Sequence, residues 1–259
     1  MQIALIYADR LETESLYSVQ KTRLEQIERC LRAHAWSVVR IPRSGIPESL
    51  DSFDLVVAAG GDGTQLDAAR RMRHAPLCAL RLFPESSIGY HCTVDYGDFE
   101  AYAERLANGS VRESLIPRLQ CMIDGMAIDY PILNDVLVAH RSPVRASRYE
   151  LSFGGVHQSQ CSSGIWIATQ PGSHGAAKSA GAMPLNDDEA GMAVFRVREL
   201  PDRFDLVTGT FRPGTDEFIV ECAGNNIMLF MDGGLYSCPF SYGQRLTLCE
   251  YPVPLKKWI

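Results

Sequence analysis

No stretch of this 259-residue chain is apolar for long enough to cross a membrane as a helix, and no membrane partner is expected. None of the eight cysteines (Cys30, Cys78, Cys92, Cys121, Cys161, Cys222, Cys238, Cys249) belongs to a C-x-x-C pair. Neither they nor the six histidines recur at zinc-site spacing, so no protein metal site is assigned. Most of the cysteines lie in apolar runs, which reads as buried, reduced thiols. The first residues carry no charged segment ahead of a long apolar one and no Arg-rich amphipathic leader, so a cytoplasmic protein is expected. Basic residues are outnumbered by acidic ones, 25 to 31, for a net charge of −6. That argues against nucleic-acid binding and leaves room for a local basic pocket. Also absent are a G-x-x-x-x-G-K-[ST] loop, the H-R-D and D-F-G elements of protein kinases, and a G-x-G-x-x-G turn after the first strand. There are no tandem repeats and no low-complexity tract. What is present, 46% hydrophobic and 22% charged residues, is ordinary for a globular protein with one large or two medium domains.

Residues 1–111 alternate strand-like and helix-like runs. Gln2–Tyr7 and Trp36–Ile41 read as strands. Leu24, Ile27 and Leu31 mark one face of a helix between Glu12 and Ala35. Asp54–Ala59 and Pro76–Leu82 have the length and composition of buried strands, and Asp98–Leu106 reads as a helix closed by Asn108-Gly109. The alternation predicts a Rossmann-like parallel sheet covered by helices. From 112 to 259 the pattern changes to short β runs joined by hairpin signals, Asp124-Gly125 and Gly154-Gly155 among them. That half reads as a mainly β domain, an antiparallel sandwich, with the last segment open to returning to the first domain. Two domains with a cleft between them are expected.

Three stretches carry chemistry. Gly60-Gly61-Asp62-Gly63-Thr64 falls between the third strand and a run of good helix formers. Glycines there permit positive φ and close approach of N–H groups, and the following helix N-terminus favours anions, so the turn suits phosphate. A carboxylate inside such a cradle makes sense if it holds a cation or takes a proton from an attacking hydroxyl; the bland reading is a capped tight turn. Asn134-Asp135, read as following a strand, pairs donor and acceptor groups that suit the cis hydroxyls of a ribose, although Asn-Asp is more often a plain turn. Ser162 to Gly181 runs from a strand into a second loop rich in glycine and hydroxyls beside Lys178, compatible with phosphate or with a plain surface loop. Asp232-Gly233 reads as a hairpin turn.

In that order, GGDGT, Asn134-Asp135 and Ser163-Gly164-Ile165-Trp166-Ile167-Ala168-Thr169-Gln170-Pro171-Gly172-Ser173 resemble the motifs of the NAD kinase family. GGDGT alone is shared with lipid kinases. Arg145-Ala146-Ser147-Arg148-Tyr149-Glu150-Leu151-Ser152, Ser162-Ser163-Gly164 and Pro84 to Tyr90 are similar to segments of the mitochondrial-type branch. The resemblance implies phosphoryl transfer from Mg²⁺-ATP to the 2′-hydroxyl of the adenosine ribose of NAD, giving NADP, by a homodimer or homotetramer. It implies Asp62 as proton acceptor, with Gly60, Gly61, Gly63 and Thr64 shaping the ATP phosphate loop. NAD would be met by Tyr90, Asn134, Asp135, Ser163, Thr169, Gly172 and Ser173. Four positions depart from the family: Asp135 stands for its Glu, Ser163 for the Asp of most members, Pro171 for a hydroxyl residue and Ala176 for an aromatic. They keep open a weakly active or non-catalytic NAD(P)-binding protein. A kinase acting on a lipid or another small alcohol is the third reading. NAD against NADH, and ATP against polyphosphate, stay open.

Overall fold

The computed structural model describes residues 1–9, 13–198 and 205–259. These form two compact units, Met1–Ile116 with Val253–Ile259, and Pro117–Pro252. The elements of the first unit are β1 (Gln2–Tyr7), α1 (Glu14–Ala33), β2 (Ser37–Pro42), β3 (Leu55–Gly60), α2 (Asp62–Ala69), β4 (Leu77–Arg81), β5 (Val94–Asp95), α3 (Phe99–Ala107) and β6 (Glu113–Ile116). The second unit holds β7 (Leu119–Ile123), β8 (Met126–Ala127), β9 (Asp135–His140), β10 (Ser147–Phe153), β11 (Val156–Ser162), β12 (Ile165–Thr169), α4 (Ala176–Ser179), β13 (Ala193–Val197), β14 (Thr208–Phe211), β15 (Phe218–Cys222), β16 (Ile227–Met231), β17 (Tyr236–Phe240) and β18 (Arg245–Glu250); β19 (Leu255–Trp258) goes back to the first.

The first unit is built on a sheet in the order β2-β1-β3-β4-β19-β6, with β5 beside β4. All its pairings are parallel except β19 with β6. β3 is buried at every residue, as its uninterrupted apolar run requires of a central strand covered on both faces. Leu24, Ile27 and Leu31 of α1 and Phe99, Tyr102 and Leu106 of α3 pack on alternate residues of β3, Leu55, Val57 and Ala59. Thr13 caps α1, its hydroxyl accepting from the Leu16 N–H, so the helix starts just after the expected Glu12, which lies outside the described residues. The strand of the expected boundary region, β6, belongs to this unit rather than to the β half, because it pairs with β19 at Leu255↔Ile116 through Trp258↔Glu113.

The second unit is a sandwich of two six-stranded sheets, β11-β10-β15-β18-β7-β8 and β14-β13-β12-β9-β16-β17, with every pairing antiparallel. Period-2 alternation sends Val136 and Val138 of β9, Ile165 and Ile167 of β12, and Leu229 and Met231 of β16 into one core with Tyr149, Leu151, Val220 and Leu246 of the facing sheet. Asp124-Gly125 (φ 51° and 79°) and Gly154-Gly155 (φ 59° and 78°) form the left-handed pairs that two-residue hairpins need. All eight cysteines are free; Cys78, Cys121 and Cys222 are buried and the other five half-buried.

Candidate functional site

β3 delivers the chain to Gly60, and the glycine motif turns directly into α2, with Gly61 as the cap and Asp62 as the first helical residue. None of Gly60, Gly61 and Gly63 has positive φ, which corrects the expectation that they serve a left-handed turn. They supply room instead. A Cβ on Gly60 would stand 2.3 Å from Thr64 Oγ1, one on Gly61 2.8 Å from Ser87 Oγ, and one on Gly63 3.1 Å from Arg43 Nη1. Thr64 is buried, and its N–H closes the turn on the Gly61 carbonyl at 3.0 Å. Arg43 donates through Nε to Asp67 Oδ2 at 2.7 Å, while Arg70 holds the other oxygen of Asp67. The guanidinium of Arg43 therefore stands beside Gly63, on a cavity of about 390 Å³ that Asp9 and Ser44 also line.

The Asp62 carboxylate accepts two backbone N–H groups, from Tyr90 at 3.1 Å and from His91 at 2.8 Å. These come from the loop after β4, which Arg81 steadies. Arg81 pairs with Asp95 through Nε at 2.7 Å and Nη2 at 2.6 Å, and donates through Nη1 to the Ile88 carbonyl at 3.1 Å. Behind the loop, Lys257 Nζ donates to the His91 carbonyl at 2.9 Å. Burial pushes the Cys92 thiol up to about 12, with the charge of Asp62 adding to it. Burial pulls the Lys257 ammonium down to about 8, against the opposing pull of Cys92 and Asp62. The Tyr90 ring is exposed.

In the second unit, Asn134 and Asp135 open β9 instead of following a strand. Asn134 Nδ2 donates to Asp135 Oδ2 at 3.0 Å. Asp135 is 2% exposed, so the half-buried Asn134 is the accessible member of the pair. Asp232 lies equally deep and accepts the N–H groups of Asn134 at 2.7 Å, Leu133 at 3.2 Å and Asp135 at 3.3 Å. Burial pushes both carboxyls up, and for Asp135 the charge of Asp232 adds to it. Asp135 Oδ1 is buried with no hydrogen-bond partner, as suits a pair that retains a proton at neutral pH. Asp232 does sit in a left-handed turn (φ 48°), as its Asp-Gly sequence indicates, but its side chain turns inward to clamp the Asn-Asp segment. Nothing in a D-G-G turn signals that burial.

The second glycine loop is drawn tightly onto the same segment. Thr169 Oγ1 donates to the Leu133 carbonyl at 2.7 Å and accepts the Gly172 N–H at 3.0 Å. Ser173 Oγ donates to the Gln170 carbonyl at 2.7 Å and accepts the Leu185 N–H at 2.9 Å. Both residues are buried, so their hydroxyls shape the loop from within. Gly172 packs against Asn134 so closely that a Cβ would stand 1.8 Å from the Asn134 carbonyl oxygen. Pro171 begins a 3₁₀ turn, where a missing N–H costs nothing. Ala176 starts α4, and Lys178 on it is exposed. Ser163 lies at the other end of β12, roughly 20 Å from Thr169 at about 3.3 Å per residue. It is exposed and borders a cavity of about 330 Å³ on the outward sheet face with Arg141, Arg145, Arg198, Trp166 and Phe230. Gly60 to Thr64 and Tyr90 thus belong to the first unit, and Asn134, Asp135, Ser163, Thr169, Gly172 and Ser173 to the second.

No family model matches the chain. Among curated proteins it is similar to a probable NADH kinase of Oryza sativa subsp. japonica, 26% identical over 66% of this chain and 60% of that one. It is 27% identical to an NAD kinase of Clostridium beijerinckii over 52% of this chain and 48% of the relative. The chain thus spans about half to three-fifths of these relatives' length. An NAD kinase of Thermotoga neapolitana is 25% identical over 90% of this chain and 83% of its own. Among solved structures, an NAD kinase from Archaeoglobus fulgidus in complex with ATP superposes with a TM-score of 0.79 at 22% identity, covering 100% of this chain and 94% of that one. Yeast NADH kinase complexed with NADH superposes at 0.77 and 14% identity, covering 100% and 83%. The chain is thus similar in sequence to an NAD kinase over nine-tenths of its length, and over its whole length it has the fold shared by an NAD kinase and an NADH kinase.

Proposed function

We propose that this protein phosphorylates the 2′-hydroxyl of the adenosine ribose of NAD or NADH with ATP. The observation that carries the reading is Asp62, a carboxylate at the N-terminus of α2, oriented by two backbone amides inside a glycine loop. The ribose oxygen attacks the γ-phosphorus of ATP, the bond from that phosphorus to the β-γ bridging oxygen breaks, ADP leaves, and the hydroxyl proton passes to Asp62. The N–H groups at the start of α2, with Arg43 beside Gly63, face the donor's phosphates. Among the described residues no three His, Cys, Asp or Glu side chains cluster as a metal cage. A Mg²⁺ arriving on the ATP phosphates fits such a site, and it would neutralise their charge.

The dinucleotide is assigned to the second unit's loops. Asn134 presents its amide there, held by Asp135 and by the Asp232 clamp, and Gly172 and Ser173 set the loop's shape. Tyr90 offers an exposed ring for stacking. The likeness to proteins named NADH kinase makes the reduced dinucleotide the first alternative acceptor. A homo-oligomer and a place in NADP biosynthesis belong to this reading. Purified protein given Mg²⁺-ATP should convert NAD or NADH to its 2′-phosphate. Asp62→Asn should lower kcat by about 10²–10⁴-fold while ATP still binds. Equal turnover in that variant would remove Asp62 from the chemistry. Tight dinucleotide binding with no turnover from ATP or polyphosphate would favour the binding-protein reading instead.

A further inference from the structure

Lys257, on β19, is only 6% exposed. An ammonium withdrawn that far from water is costly unless other groups replace its hydration. Its Nζ donates to the His91 carbonyl and, among the described residues, makes no ion pair. The residue that receives this bond is the one whose N–H, at its other end, donates to Asp62 Oδ1. Lys257 therefore grips the peptide segment that orients the carboxylate.

The charged and titratable side chains near this loop are engaged elsewhere or neutral. Arg81 on β4 is spent on Asp95 of β5, to which it makes two hydrogen bonds. The thiols of Cys92, on the same loop, and of Cys78, on β4, are both pushed up to about 12 and are neutral. The His91 ring meets the Tyr90 ring edge-on, and Asp67, on the far part of α2, is held by Arg43 and Arg70.

We propose that Lys257 is a positioning residue for Asp62: holding the His91 carbonyl, it fixes the Tyr90 and His91 amides on the carboxylate. The benefit to catalysis rests on the phosphotransfer reading above; the coupling of the two side chains does not.

The test follows the Tyr90 and His91 backbone amides by ¹⁵N NMR and hydrogen exchange in the full chain. In Lys257→Met both amides should exchange at least roughly tenfold faster, while amides of α1 keep their wild-type rates. Lys257→Gln and Lys257→Arg, which each keep a donor, should restore most of the protection. With the dinucleotide as acceptor kcat should fall roughly tenfold in Lys257→Met, with KM for ATP unchanged. If Lys257→Met does not fold, Lys257→Gln against wild type gives the answer, with the two amides exchanging faster than in wild type but slower than global unfolding allows. Tyr90 and His91 amides protected equally in wild type and in every variant overturn the proposal. A wild type that shows the effect yet phosphorylates neither NAD nor NADH counts against the function alone.

Discussion

The two glycine-rich loops look alike in sequence and use their glycines differently. In Gly60–Thr64 the space left open is filled by side chains, namely Thr64, Ser87 and the end of Arg43. At Gly172 it is filled by the backbone of Asn134. A side chain can turn away from an added methyl group, whereas a peptide carbonyl in a strand ladder cannot without moving the strand. The first loop is therefore tolerant in a graded way, and the second is not tolerant at all. Their acids differ too. Asp62 is fully engaged by two amides, while Asp135 keeps a buried oxygen with no hydrogen-bond partner, next to a second carboxyl.

The largest expected effect tests that difference directly. Gly172→Ala should cost more than about 3 kcal/mol in thermal or urea unfolding, because the methyl group meets a carbonyl at 1.8 Å, and should abolish dinucleotide binding in calorimetry. If it proves as mild as Gly63→Ala, the contrast between the loops fails. Gly60→Ala should cost about 2 kcal/mol, since the short, branched, buried Thr64 has little freedom to move.

Asp135→Asn sharpens the comparison of the acids. A carboxyl raised by folding binds more protons in the native than in the unfolded state, so stability falls as pH climbs from about 4 to about 7. Removing the ionisable group should flatten that fall and leave the variant about 1–2 kcal/mol more stable than wild type at pH 8, relative to their difference at pH 4. A wild-type stability curve that is already flat over this window would disprove the raised pair. The smallest effect belongs to Gly63→Ala. It should change stability by less than about 1 kcal/mol, because Arg43 can shift its guanidinium, while raising KM for ATP.

How much of this was readable beforehand follows from the range of each signal. The α/β first half and the hairpin-rich second were legible because β3, α1 and the Asp124-Gly125 and Gly154-Gly155 turns carry their patterns within a few residues. β6 and β19 were not identified from sequence. Glu113–Ile116 and Leu255–Trp258 are four residues each, with charged or half-exposed positions, and only their mutual pairing makes them strands. The position of Asp62 was plain from its motif. Its amide donors, 28 and 29 residues downstream, were not, and neither was Lys257. The inward turn of Asp232 escaped for a related reason, since a turn motif encodes backbone conformation and says nothing of where a side chain will be buried.

The place of β19 between β4 and β6 also sets an order of events in time. The strand that completes the first sheet is made only after the whole second unit, Pro117–Pro252, has been synthesised. At about 5–20 residues per second, that wait is on the order of ten seconds. Throughout it, β4 and β6 expose unsatisfied edges, and the loop around Asp62 lacks the lysine that grips it. A nascent chain therefore holds its most recognisable motif long before it holds that motif's support, and the last strand of the first unit is synthesised after every strand of the second.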